Sequence, residues 1–91
     1  GDVKVGDLVK ISAGGENVIW CEPFWGAVGI VTGTRYEDRD WATEYYISWA
    51  GVKSLDTCSK KFNDRYWWSY KTLLGESFSR SYLKFAKRRA R

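Results

Sequence analysis

The chain contains no histidine, no methionine, one proline and only two cysteines, Cys21 and Cys58. Without histidine, the side chain most often used as a general base is missing, and no cysteine or serine has an imidazole to activate it. The two cysteines lack the close spacing of a metal site. Asp38 and Asp40 lie in a charged turn, where solvation explains them better than a bound cation does. We therefore expect no catalysis, no metal, no cofactor and no small-molecule substrate.

Long apolar runs are also missing. No stretch approaches the length of about 20 residues needed to span a bilayer, and the regions of a secretory signal peptide are absent. The sequence therefore predicts a chain that is neither a membrane protein nor secreted by a signal peptide. Two cysteines without metal spacing favour reduced thiols in a reducing compartment, with a Cys21–Cys58 disulfide as the alternative.

The charges are unevenly distributed along the chain, and aromatic side chains are unusually frequent. The net charge is +4, but residues 84–91 alone carry five basic side chains and no acid, so the first 83 residues have a net charge of −1. The 91 residues include 16 aromatic side chains, more than a core of this size can hold. We therefore expect some rings to be exposed, as they are at recognition surfaces.

Two strands joined as a hairpin are expected to form the centre of the fold. Residues 26–33 and 44–51 are rich in β-branched or aromatic side chains and are bounded by glycine or charged turn residues. Glycines within the first strand predict a bulge or bend, which helps a small sheet to close into a barrel. Residues 34–43 are expected to form a polar turn. Residues 8–11 predict another strand, with Val9 and Ile11 on one face.

The remaining segments show weaker patterns. Residues 18–21 predict either a short strand or an apolar loop anchor, and Pro23 is expected to end regular structure. Residues 52–63 read as irregular. Residues 65–70 (RYWWSY) predict a strand, and residues 71–75 predict a single helical turn.

The C-terminal segment has a helical pattern. Phe78, Tyr82, Phe85 and Ala86 recur at the spacing of an amphipathic helix, and the terminal cations suit its C-terminal dipole. We therefore expect a β domain over residues 1–76, followed by a basic helix or arm over residues 77–91.

Several of these segments together resemble a known family. Residues 5–11 (VGDLVKI), 26–31 (GAVGIV) and 45–49 (YYISW) resemble the small SH3-like barrels, in particular short proteins of tailed-phage genomes and KOW-type domains. The resemblance covers about residues 3–75. It implies a mainly β, five-stranded SH3-like barrel and a binding module, namely a phage virion accessory or structural protein located in the cytoplasm or the virion.

Aromatic residues and the basic tail are the candidate contacts of such a module. A protein partner, a virion or phage-encoded component, would use exposed rings with a polar rim. The alternative is a nucleic acid, which the tail would attract and on whose bases the rings would stack. The alternative to both kinds of contact is a structural role, and we expect some of the tryptophans to lie in the core. The candidate residues are Trp25, Tyr36, Trp41, Tyr46, Trp67 and Trp68, together with Lys84, Lys87, Arg88, Arg89 and Arg91 of the tail.

Overall fold

The computed structural model describes residues 2–37 and 42–86 as a five-stranded antiparallel sheet with helical connections. The strands are β1 (Leu8–Ile11), β2 (Val28–Glu37), β3 (Ala42–Ala50), β4 (Ser77–Ser79) and β5 (Leu83–Phe85), in the order β4-β3-β2-β1-β5. The prediction of a mainly β fold with five strands is confirmed. The sheet is open, because β4 and β5 form its two edges, so the expected closure into a barrel is not observed. Only the 3-10 helix Arg80–Tyr82 separates these edge strands in the chain.

The central hairpin is confirmed and is longer than predicted. Most of the expected turn is strand, because pairing continues beyond a bulge between Val31 and Gly33 as far as the pair formed by residues 37 and 42. Gly29 allows the close packing of this hairpin, since a Cβ there would lie 2.3 Å from Cγ2 of Ile47. The first strand is also confirmed, and Val9 is fully buried.

The main core covers one face of the sheet and is capped by the 3-10 helix Ile19–Phe24. Phe78 lies at its centre, with ring centroids 5.2 Å from Phe24 and 5.4 Å from Trp49. The expected strand or loop anchor at residues 18–21 is thus largely part of a 3-10 helix, and Pro23 lies inside that helix instead of ending it. The short helix covers sheet surface that would otherwise be exposed.

Residues 51–76 form a helical insertion between β3 and β4. It contains the 3-10 helix Leu55–Thr57, α1 (Lys60–Tyr66), the 3-10 helix Trp67–Ser69 and α2 (Tyr70–Leu73). The strand predicted over residues 65–70 is therefore wrong. The irregular structure predicted over residues 52–63 is present only at residues 52–54 and 58–59, between and before the helices. The helical turn predicted at residues 71–75 is present, although it begins at Tyr70.

The helix predicted from residue 77 onward is wrong as far as residue 86. This segment forms β4, a 3-10 turn and β5, because β4 pairs with β3 and β5 pairs with β1. Phe78 and Leu83 both enter the core, although only Phe78 belongs to the helical stripe. The first nine residues assigned to the C-terminal extension therefore complete the sheet. Residues 87–91 lie outside the described part of the chain.

The two cysteines are free and buried, and they belong to different apolar clusters. Cys21 lies in the main core, whereas Cys58 packs with Phe62 and Leu73 of the helical insertion. No helix within residues 2–37 and 42–86 is long and apolar enough to cross a membrane.

Candidate functional site

Trp67 and Trp68 are the most exposed of the large aromatic side chains that the structure describes. They stand next to each other on the 3-10 helix between α1 and α2, with 62% and 72% of their surface exposed. Two neighbouring indoles exposed to this extent carry a large apolar area in contact with water. We call these two residues the tryptophan pair.

The helical period of the insertion explains this exposure. Phe62, Tyr66, Tyr70 and Leu73 are spaced as one side of a helix, and all four belong to the apolar cluster beneath it. Phe62 is fully buried, and its ring stacks on Tyr66 at a centroid distance of 5.4 Å. The tryptophan pair falls outside this stripe and is therefore directed away from the cluster.

Hydrogen bonds hold the insertion on both sides of the tryptophan pair. The Tyr70 hydroxyl donates to the carbonyl oxygen of Lys53 at 2.5 Å. The backbone N–H of Lys53 donates in turn to the carbonyl oxygen of Pro23 at 2.8 Å, which attaches this side to the 3-10 helix over the core. On the other side, at the start of α1, the Ser59 hydroxyl accepts from the backbone N–H of Phe62 at 3.2 Å and so caps the helix.

A buried carboxylate joins this cap to the segment that covers the main core. Glu22 is only 3% exposed, and its two carboxylate oxygens accept from the Ser59 backbone N–H and hydroxyl, each at 2.6 Å. Hydrogen bonds to a charged acceptor are stronger than neutral ones. Glu22 therefore links the helical insertion to the 3-10 helix over the core, a role that the sequence alone did not indicate.

A cleft of about 460 Å³ separates β3 from α2. Trp49 contributes from the sheet, whereas Tyr70 and Leu74 contribute from the insertion that also carries the tryptophan pair. Leu74 is partly exposed at this cleft. The insertion therefore has a recess next to its exposed surface. At protein interfaces, the residues that dominate binding often lie at such pockets.

The other predicted contact residues are not gathered around the tryptophan pair. Trp25 packs against the main core, and the Lys53 ammonium lies 5.5 Å from the centroid of its ring. Tyr36 is exposed near the far end of β2, and Tyr46 is exposed on β3. Trp41 lies outside the described residues.

Lys84 is the one predicted tail residue that the structure describes. It lies in β5, directly opposite Lys10 of β1. The other four, Lys87, Arg88, Arg89 and Arg91, lie outside the described residues. The candidate contacts are thus distributed over at least two surfaces.

The second surface is the sheet face directed away from the main core. Leu8, Val28 and Ile30 project from it and are each between 40% and 42% exposed. With Val9 and Ile11 on the core face of β1, as predicted, Leu8 and Lys10 lie on its opposite face. We call this surface the outer sheet face, and its members are Leu8, Lys10, Val28, Ile30, Tyr46, Ser48, Ala50 and Lys84.

Burial shifts the titration of both cysteine thiols. Burial raises the pKa of the Cys21 thiol to about 12. Burial, followed by the negative charge of Glu22, also raises the pKa of Cys58. Both groups are therefore held as thiols, the less nucleophilic form. Among the described residues, no three His, Cys, Asp or Glu side chains form a group that could hold a metal ion.

The fold and these surfaces define a small mainly β protein with a helical insertion that displays aromatic side chains. Comparisons with protein-family models, with curated proteins and with solved structures find no match for this chain.

Proposed function

We propose that this chain is a non-catalytic protein-binding module of SH3-like fold and that the tryptophan pair is its main contact with a protein partner. The observation that carries the proposal is the exposure of Trp67 and Trp68 on a backbone that is fixed on both sides. Tryptophan is enriched among the residues that dominate binding energies at interfaces. A contact surface that is ordered before binding also loses less conformational entropy on association.

The sheet connectivity supports the SH3-like part of the proposal. The strands β1, β2 and β3 are consecutive neighbours, and β5 returns to lie beside β1. Because β4 and β5 occupy opposite edges and are separated by only three residues, the sheet must curve until these edges approach each other. Such curvature is a property of small, partly open barrels.

On the sequence resemblance, we propose that the module belongs to a tailed-phage particle or phage-encoded complex, as an accessory or structural protein located in the virion or the cytoplasm.

The surroundings of the tryptophan pair favour a protein partner. The exposed surface of α1 carries charges of both signs, including an ion pair of 2.7 Å between Lys60 and Asp64. A mixture of charges around an apolar centre is typical of the polar rim of a protein interface.

The test is affinity capture with the full chain, its Trp67→Ser/Trp68→Ser variant and a Tyr36→Ser control, each immobilised and exposed to a lysate of the source. Captured proteins are quantified by mass spectrometry. We expect at least one protein to be reduced about tenfold or more on the double variant and unchanged on the control, since a truncated contact residue of this kind costs about 2 kcal/mol or more. Thermal unfolding should be almost unchanged in both variants, because all three rings are exposed.

Two results would contradict the proposal. One is capture of the same proteins in equal amounts by all three forms. The other is quenching of the tryptophan fluorescence by single-stranded DNA that the double variant abolishes, because this would mean that bases stack on the pair.

A further inference from the structure

The outer sheet face combines an apolar centre with a basic edge. The strand register places Leu8 opposite Ile30 and Val28 opposite Ala50, so these side chains form a continuous surface over three strands. Neighbouring side chains on one sheet face are close enough to contact each other. An exposed apolar surface that spans several strands differs from isolated exposed residues and often marks an interaction site.

Two lysines adjoin this apolar centre. Lys10 and Lys84 are directly opposite each other on β1 and β5, and Lys10 follows Leu8 on the same face of its strand. Like charges directly opposite in a sheet are destabilising. The ion pair between Lys60 and Asp64 involves neither of these lysines.

We propose that the outer sheet face is a second docking surface, which binds a protein segment that presents carboxylates beside aliphatic side chains. Carboxylates over Lys10 and Lys84 would remove the repulsion between the two ammonium groups. Aliphatic side chains would cover Leu8, Val28 and Ile30. The proposal rests on the proposed function as a protein-binding module, but it uses residues that are separate from the tryptophan pair.

Charge and side-chain chemistry exclude three other occupants of this surface. Residues 87–91 of the chain itself carry four basic side chains and no acid, so the lysines repel them. A second copy brings the same face, whose eight members include no acid. A nucleic acid supplies phosphates, but its bases stack on aromatic rings, whereas the side chains next to Lys10, those of Leu8 and Ile30, are aliphatic.

The test measures binding of a peptide of repeating Glu-Glu-Leu-Leu units, since each face of an extended chain then presents glutamate and leucine in alternation. Affinity is measured by isothermal titration calorimetry with the full chain. We expect Leu8→Ser/Ile30→Ser to weaken binding by about 10- to 50-fold, from the apolar area it removes. The matched control Val5→Ser alters an exposed apolar residue off the sheet and should have little effect. Lys84→Glu should weaken binding about tenfold, whereas Lys71→Glu on α2 should not.

Several outcomes would overturn this proposal. Absence of binding to the glutamate–leucine peptide would do so, as would equal binding of a peptide in which lysine replaces each glutamate. Binding of a DNA duplex that is lost in Lys84→Glu but retained in Leu8→Ser/Ile30→Ser would assign the face to nucleic acid. A wild-type dimer that this double variant dissociates, measured by sedimentation equilibrium, would assign it to a second copy. Because Trp67 and Trp68 are unchanged throughout, any of these results leaves capture by the tryptophan pair as a separate question.

Discussion

Replacing Glu22 by glutamine should destabilise the protein measurably, although the two side chains have nearly the same size. The carboxylate accepts two hydrogen bonds of 2.6 Å from Ser59. Glutamine keeps one acceptor oxygen for the Ser59 backbone N–H, but its amide group can only donate to the Ser59 hydroxyl, so the charge-assisted hydrogen bond from that hydroxyl is lost. A hydrogen bond to a charged group contributes about 1.5 to 3 kcal/mol, and the lower part of this range applies because the substitution also removes a buried charge. We therefore expect the free energy of unfolding to fall by about 1.5 to 2.5 kcal/mol.

The assay is urea unfolding followed by circular dichroism. The matched control is Glu16→Gln, which makes the same chemical change at an exposed position and should shift the free energy by less than about 0.5 kcal/mol. A double-mutant cycle with Ser59→Ala should give a coupling energy of about 1 kcal/mol or more between the two side chains. If Glu22→Gln and Glu16→Gln unfold at the same urea concentration, the link between the helical insertion and the core segment does not stabilise the fold.

Two further predictions concern the core. Gly29→Ala should lower the free energy of unfolding by about 1 to 3 kcal/mol in the same urea assay, because the new Cβ would lie 2.3 Å from Ile47 and 2.9 Å from Trp49. The control is Gly33→Ala, whose new Cβ would meet only Tyr46, at 3.8 Å. This variant should change the free energy of unfolding by less than about 0.5 kcal/mol. The second prediction concerns pH: burial raises the pKa of Cys21 from 9.0 to about 12, so the unfolded chain loses this proton first as pH rises. The free energy of unfolding should therefore fall between about pH 8 and pH 11. The fall should be larger in the wild type than in Cys21→Ala by about 2 to 3 kcal/mol. Parallel pH dependences of the two proteins under reducing conditions would refute the second prediction.

The central hairpin and β1 were predictable because their side chains alternate strictly and glycines mark where the strands bend. In β1, Val9 and Ile11 are buried while Leu8 is exposed, as a period of two requires. The length of the hairpin was not predictable, since the polar residues after Gly33 are held in the strands by backbone pairing instead of by burial. Composition alone made that segment resemble a turn.

The helical insertion was missed because aromatic residues have high strand propensity. Residues 65–70 include four aromatic side chains, and a short run of this kind fits either a strand or a helix. The decisive signal begins earlier, at Phe62, and continues through Tyr66 and Tyr70 to Leu73 with a helical period. A window that starts at residue 65 excludes Phe62. The exposure of Trp67 and Trp68 follows from the helical assignment and could not be deduced from the strand pattern.

The C-terminal error has the opposite cause. Phe78, Tyr82 and Phe85 matched a helical period because two strands of three residues are separated by three residues, a spacing that imitates the helical stripe. Leu83, which is almost fully buried, lay outside the predicted stripe. β5 gives β1 its second neighbour, and a pairing between such distant parts of the chain is not visible from local periodicity.

The two proposed surfaces depend on the fold in different ways. The outer sheet face is formed directly by β1, β2, β3 and β5, so its geometry persists as long as the sheet does. The helical insertion has a smaller core, centred on Cys58, Phe62 and Leu73, and α2 contains only four residues. Isolated helices of this length do not persist in water. The orientation of the tryptophan pair therefore depends on the attachment of the insertion to the core segment, in which the Glu22 carboxylate takes part. Loosening this attachment should reduce binding at the tryptophan pair and leave binding at the outer sheet face unchanged.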